Sequence, residues 1–302
     1  MARTITVGLD GSSESRAAAE WAAREATLRQ VPVQLVHVWQ PVPEPLAQAP
    51  LLGAETHQHW TGRIPRDAAE GLRLRHPGIE VTTEQWPGPP ADVLLDAARD
   101  AELLVLGSRA LSGLAGFLVG SVGQSVVARA EVPVVLVRAG EQAADEHMKD
   151  PAGIPSAATG FRPVVLGLDT GNPDGTVLSF AFDEARRREA TLTVVAGWNL
   201  PPSYVYSLAA GVDPREEMSR ERAAALTEVL RPWREKHPDV EVTEASRLGS
   251  PANHLVDAAR DASLVVVGRR VRRRSPVGIH IGAVTHAVMH HATAPVAVVA
   301  HA

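Results

Sequence analysis

The residues best equipped for chemistry lie in one glycine-rich stretch, Gly107-Ser108-Arg109-Ala110-Leu111-Ser112-Gly113-Leu114-Ala115-Gly116-Phe117-Leu118-Val119-Gly120-Ser121. Glycines at 107, 113, 116 and 120 let a backbone approach an anion closely. Gly120-Ser121 opens a helical pattern, where unpaired amides and the helix dipole favour phosphate. Ser121 and Val122 fall in that first turn, Ser121 adds a hydroxyl, and Arg109 can supply charge. Loops of this composition also serve as connections that bind nothing, so the stretch alone leaves both readings open. Asp10, at the end of the β-branched run Arg3 to Leu9, is a second candidate because its carboxylate closes a strand at a turn.

Other clusters point to plainer roles. Five arginines crowd residues 269–274 and could grip a polyphosphate, but a short basic cluster on an acidic chain reads first as a solvated loop. His286 and His290 stand four apart with His291 beside them, yet no third ligand falls at a fixed spacing, so a surface role is the simpler reading. Asp96 and Asp100 flank Arg99 as a solvated helix pair. Trp39 and Trp198 end equivalent strands and read as packing residues before base-stacking ones. Gly120-Ser121-Val122-Gly123 lacks the spacing of a nucleophile elbow, and no other segment assembles a catalytic constellation.

The elements that position these residues follow from an internal repeat. Val7-Gly8-Leu9-Asp10 recurs as Leu166-Gly167-Leu168-Asp169 at an offset of 159. Asp96-Ala97-Ala98-Arg99-Asp100-Ala101 recurs as Asp257 to Ala262 at 161, Gly107 pairs with Gly268, and Pro133 pairs with Pro295 at 162. Blocks with a small monotonic drift mark a duplicated domain. The boundaries read as 1–138, a linker over 139–161 rich in Ala, Pro, Gly and acid, and 162–302.

Within each copy, strand and helix patterns alternate. The first copy reads as strands over 3–9, 33–39, 79–86, 103–106 and 134–137, with helices between them, and a glycine-rich loop over 107–120. Ser12 or Ser13 can cap the first helix. The expected fold is therefore two tandem open α/β sandwiches, each with a parallel five-stranded sheet. If the first three strands wind one way and the last two the other, the switch point falls between strands one and four, and Asp10 faces Gly107 across a crevice.

Composition narrows the classes. The 302 residues carry a net charge of -5 and 45% hydrophobic residues, which suits a soluble globular chain rather than a nucleic-acid coat. No cysteine is present, which excludes disulfides and thiolate sites. Lys149 and Lys236 are the only lysines and neither follows glycine, so there is no Walker-type loop. No apolar run reaches the roughly 20 residues of a membrane span. The N-terminus runs straight into a strand pattern, and a cytoplasmic protein without membrane partners is expected.

With Gly-x-Asp after the first strand and Gly-x2-Ala-x9-Gly-Ser after the fourth, the chain resembles the universal stress protein family, whose pattern is Gly-x2-Gly-x9-Gly-Ser/Thr. The duplication resembles its tandem members, and the likeness covers almost the whole chain. The resemblance implies a Rossmann-like fold of the adenine nucleotide alpha hydrolase type and ATP, with or without Mg, as ligand. It maps the site onto Gly8, Asp10, Val38, Gly107, Ser108, Arg109, Ala110, Gly113, Gly120, Ser121 and Val122, and in the second copy onto Gly167, Asp169, Gly268 and Gly282. It also implies an intramolecular pseudo-dimer through Val134–Val137 and Val296–Val299, and a homodimer or regulatory protein as partner.

Two departures set expectations. Ala110 replaces a motif glycine, which costs about 1 kcal/mol if that position needs positive φ. In the second copy Val271 takes that place, the spacer is one residue longer, and Ala283 replaces the serine, so an altered or lost site is expected there. The preferred reading is a regulatory ATP-binding module with nucleotide in the first domain. An interaction scaffold that has lost nucleotide and a slow ATPase using Asp10 are the alternatives.

Overall fold

A computed structural model describes residues 3–39, 62–110, 117–154, 156–200, 215–271 and 281–302, with the side chains of 109, 110, 117 and 118 outside that set. The chain divides into two compact units, Met1–Ala143 and Ala144–Ala302.

The first unit runs β1 Ile5–Leu9, α1 Ser13–Arg29, β2 Val33–Trp39, α2 Arg63–Arg75, β3 Val81–Pro87, α3 Pro90–Ala97, β4 Leu103–Ala110, β5 Phe117–Leu118, α4 Ser121–Arg129 and β6 Val134–Arg138. Its parallel strands lie in the order β3-β2-β1-β4-β6, so β1 is flanked by β2 and β4 as the winding argument requires. Ile5, Thr6, Val7 and Leu103 to Val105 are all fully buried, both alternating faces included, as expected of central parallel strands covered by helices on either side. The edge strand β3 instead exposes Thr82 and Thr83.

The second unit repeats this plan with β7 Val164–Gly167, α5 Gly175–Arg187, β8 Leu192–Trp198, α6 Arg215–Lys236, β9 Val242–Leu248, α7 Pro251–Ala258, β10 Leu264–Arg270, α8 Ala283–His291 and β11 Val296–His301. Its order is β9-β8-β7-β10-β11. Within 139–161, the Met148 amide donates to Gly160 at 2.8 Å, and the His147 ring packs 4.1 Å from that of Phe161.

Both units anchor their first helix alike. Glu25 pairs with Arg29, and at the same offset of 159 Glu184 pairs with Arg188. All four side chains are buried, and Arg29 and Arg187 add further ion pairs to Glu102 and Glu184. Each helix then ends on a left-handed residue, Gln30 at φ 56 and Glu189 at φ 48.

One expected loop is partly strand. The fourth strand does not stop at Leu106 but runs to Ala110, because Gly107 and Ser108 stay in register with Val137 and Arg138 of β6. Beyond that, Arg109 and Ala110 pair antiparallel with Leu118 and Phe117. In the second unit the ladder likewise carries Gly268, Arg269 and Arg270 alongside β11. Backbone pairing with a neighbouring strand overrides the weak strand preference of glycine, serine and arginine.

That extension corrects two expectations. Ala110 is extended, and the only non-glycine residues with positive φ among those described are Gln30 and Glu189, so neither Ala110 nor Val271 carries the strain considered from sequence. Arg269 is not part of a solvated loop: strand alternation turns it inward, where it is 4% exposed and burial lowers its pKa. Arg270 faces the other way, and residues 272–274 lie outside the described residues.

Candidate nucleotide crevices

The first unit opens a cavity of about 310 Å³ at the carboxyl ends of β1 and β4. This is the topological switch point, where neighbouring connections leave in opposite directions and part the backbone. Gly8 and Asp10 line one side, Val36 and Val38 of β2 and Leu94 of α3 the apolar side, and Gly107 with Gly120 to Gly123 the remainder. Seven of the expected residues therefore converge: Gly8, Asp10, Val38, Gly107, Gly120, Ser121 and Val122. Ser108 does not line the cavity; it is buried and its hydroxyl donates to Val137 O at 3.3 Å. Arg109 and Ala110 sit in the β4–β5 ladder, and Gly113 lies outside the described residues.

The two glycines of the phosphate motif differ in kind. A Cβ on Gly107 would stand 2.4 Å from the Glu14 carbonyl carbon and 2.7 Å from the Ser15 nitrogen, so this glycine lets the start of α1 abut β4. A Cβ on Gly120 would meet nothing within 4 Å. Gly120 has φ -59 and caps α4 without a side-chain hydrogen bond. The amides of Ser121, Val122 and Gly123 have no helical acceptor in this first turn, and no side chain caps it.

Asp10 is tied to its own turn. Its Oδ1 accepts from the Ser12 amide at 3.0 Å and from the Ser12 hydroxyl, while Ser12 caps α1 by accepting from the Ser15 amide at 3.1 Å. Burial raises the Asp10 carboxyl, but the hydrogen bonds from Ser12 and Ser15 outweigh it and hold the pKa below 3.8. Ser12, Glu14 and Ser15 also line the crevice. The sequence placed Ser12 as a cap only; its closeness to Asp10 in the chain was the signal that it reaches the site.

The second unit opens an equivalent cavity of about 470 Å³ lined by Gly167, Asp169, Gly268 and Gly282, which brings together all four residues expected there. Its shape differs for a reason written in the chain. Where Ser12-Ser13-Glu14-Ser15 starts α1, the second copy has Gly171-Asn172-Pro173-Asp174, and proline disfavours helical backbone at the residue before it. Helix α5 accordingly starts at Gly175, with Asp174 as cap accepting from the Thr176 amide at 2.8 Å. The turn that abuts Gly107 has no counterpart beside Gly268, and the His301 imidazole fills that place, its Nε2 2.8 Å from where a Gly268 Cβ would stand. Thr285 donates to Gly268 O at 2.7 Å. Nothing in the sequence marked His301, which reaches the crevice only because β11 lies beside β10.

The remaining candidates lie apart from both crevices. Trp198 is buried and lines a separate surface hollow with Arg215 and Leu248, while Trp39 is half-buried. Arg99 pairs with Asp96 at 2.8 Å on an exposed face. The rings of His286 and His290 lie 4.4 Å apart on α8. Among the described residues, no helix is long and apolar enough to cross a membrane.

Comparison with known proteins agrees with this architecture. The model of the universal stress protein family matches twice, over residues 1–138 and 160–300. A universal stress protein of Mycolicibacterium smegmatis is 34% identical over 306 residues, covering 98% of this chain and 96% of that protein. One from Mycobacterium tuberculosis is 33% identical over 308 residues, covering 97% and 96%. Among solved structures, a universal stress protein from Archaeoglobus fulgidus superposes with a TM-score of 0.71 at 15% identity, covering 99% of this chain and 98% of that one, a likeness of fold.

Proposed function

We propose, from the premise that this chain belongs to the universal stress protein family, that it is a regulatory nucleotide-binding module of the cytoplasm whose first crevice holds ATP. The observation that carries the reading is the convergence of an apolar slot, a strand-end carboxylate and an uncapped helix N-terminus at one switch point. The adenine lies between Val38 and the β1 end, the ribose near Asp10, and the phosphates at the α4 amides with Ser121. Gly120 leaves the space the phosphates need. Magnesium, when present, arrives with the phosphates, since it keeps much of its water and takes only one or two carboxylates.

Binding rather than turnover is the proposed activity. Asp10 spends Oδ1 on the turn before α1, which supports a positioning role over that of orienting a water. Occupancy would fix the relation between that turn and α4, and a regulatory protein or second copy of the chain would read the difference. Mass spectrometry of ligand released from freshly purified protein tests the reading, together with calorimetric titration with ATP. Co-purified adenine nucleotide or saturable heat supports it; neither, with the chain folded, leaves the scaffold alternative standing.

A further inference from the structure

Strand alternation separates two places on β8. Val195 and Gly197 line the second crevice, whereas Trp198 turns to the opposite face of the strand, toward the start of α6. There a surface hollow of about 470 Å³ is lined by Trp198, Leu248, Arg215, Glu216, Ser219 and Arg220, none of which lines that crevice. The last four stand at i, i+1, i+4 and i+5 and so share one face of the first turns of α6. Met218 is buried and anchors those turns. At the repeat offset of 161, Arg63, where α2 starts, corresponds to Ala224, so α6 begins about two turns earlier than α2. That added length carries the charged wall of the hollow.

Trp198 is only 8% exposed, yet its indole Nε1 has no acceptor among the described residues, a desolvated donor of a kind that folded chains rarely leave unmet. Arg220 donates from Nε to Glu216 O at 3.4 Å, and no carboxylate pairs with its guanidinium among the described residues. Leu248, in register with Trp198, leaves 41% of its surface exposed beside these donors. An apolar bed edged by a guanidinium fork, the Ser219 hydroxyl and an indole N–H suits an anion carried on an apolar body. Glu216 and Glu217 in the same first turn oppose a second negative charge, which favours a carboxylate over a phosphate. We infer that the hollow is a site for a small organic carboxylate. Arg220 and the Trp198 N–H donate to its acid group, while the Trp198 ring and Leu248 hold its apolar part. The volume falls within the usual range for small-molecule sites, roughly 300–1,000 Å³. The inference is independent of ATP in the first crevice.

The test uses the full chain without nucleotide, its six tryptophans labelled with ¹⁵N at the indole nitrogen. The Trp198 signal is the one that Trp198→Phe removes. Titration with 3-phenylpropionate and with octanoate is followed by NMR, and affinities are read by calorimetry. The Trp198 N–H is expected to move downfield and saturate with at least one of the two acids, as it gains an acceptor. The neutral 3-phenylpropanol should bind at least about tenfold more weakly than 3-phenylpropionate, and phenyl phosphate more weakly than that acid as well. Arg220→Ala should weaken the acid about tenfold, the worth of one charge-assisted hydrogen bond, and Arg220→Lys should recover part of the loss. Arg220 is exposed, and unchanged signals from the other five tryptophans show that the variant keeps its fold. A Trp198 signal that stays put with both acids overturns the inference. Equal affinity for acid and alcohol, tighter binding of phenyl phosphate, or undiminished binding by Arg220→Ala overturns it as well. ATP takes no part in these titrations, so failure here leaves the reading of the first crevice standing, and the reverse.

Discussion

Gly107→Ala separates packing from ligand binding at the phosphate motif. The added methyl would stand 2.4, 2.6 and 2.7 Å from the carbonyl carbon and oxygen of Glu14 and the nitrogen of Ser15. These are backbone atoms of the first turn of α1, so no side-chain rotation relieves the contact and the helix itself must shift. Overpacking of this kind costs about 1–3 kcal/mol. For a domain near 150 residues, each kcal/mol moves the midpoint by roughly 2–4 °C, so a fall of about 2–12 °C is expected. Differential scanning calorimetry without nucleotide reads the change, with Gly120→Ala as the control, because a methyl there meets nothing within 4 Å. An unchanged melting temperature for Gly107→Ala, together with lost ATP binding, would refute the packing argument and return that glycine to the phosphates.

Other consequences follow from buried and titrating groups. Glu184→Ala removes a buried carboxylate that pairs with both Arg187 and Arg188, and urea unfolding of the second unit should lose about 3–5 kcal/mol, whereas Asp96→Ala on the exposed Arg99 pair should lose under about 1 kcal/mol. Burial, then the charges of His290 and His291, lowers the His286 pKa below 6.5. The unfolded chain therefore takes the proton first, so stability is full above about 6.5 and declines as the pH falls toward the folded value. His286→Gln should flatten that decline in acid melts, and an identical pH profile would contradict it. The depressed Asp10 pKa has the usual carboxylate sign: its contribution is present above the ordinary value and is lost as pH falls through the folded one. In chemical melts below pH 4, Asp10→Asn should show a shallower acid loss than the native chain.

What the sequence could reveal was set by how local each signal is. The repeat, the strand and helix alternation and the switch point between Asp10 and Gly107 rest on residues close in the chain, and they carry the fold and most of the first crevice. Ser108 was misleading because its hydroxyl direction depends on β6, some thirty residues away. Arg269 looked solvated because the extent of β10 depends on pairing with β11. The Glu25–Arg29 and Glu184–Arg188 pairs were legible in principle, as an acid and a base four apart at one repeat offset. His301 was not, since only tertiary placement brings it against Gly268. The different second crevice could have been read from Pro173, which delays the helix and removes the turn that fills the corresponding space in the first unit.

The central claim is that ATP sits on the first turn of α4 in the first unit. Titration of the native chain and of Gly120→Phe with ATP, side by side, tests it most directly. Charge-assisted hydrogen bonds to phosphate are worth about 1.5–3 kcal/mol each, so displacing the nucleotide from two amides should raise Kd at least about 100-fold while the melting temperature without ligand stays put. Equal ATP affinity in the two proteins would contradict the account.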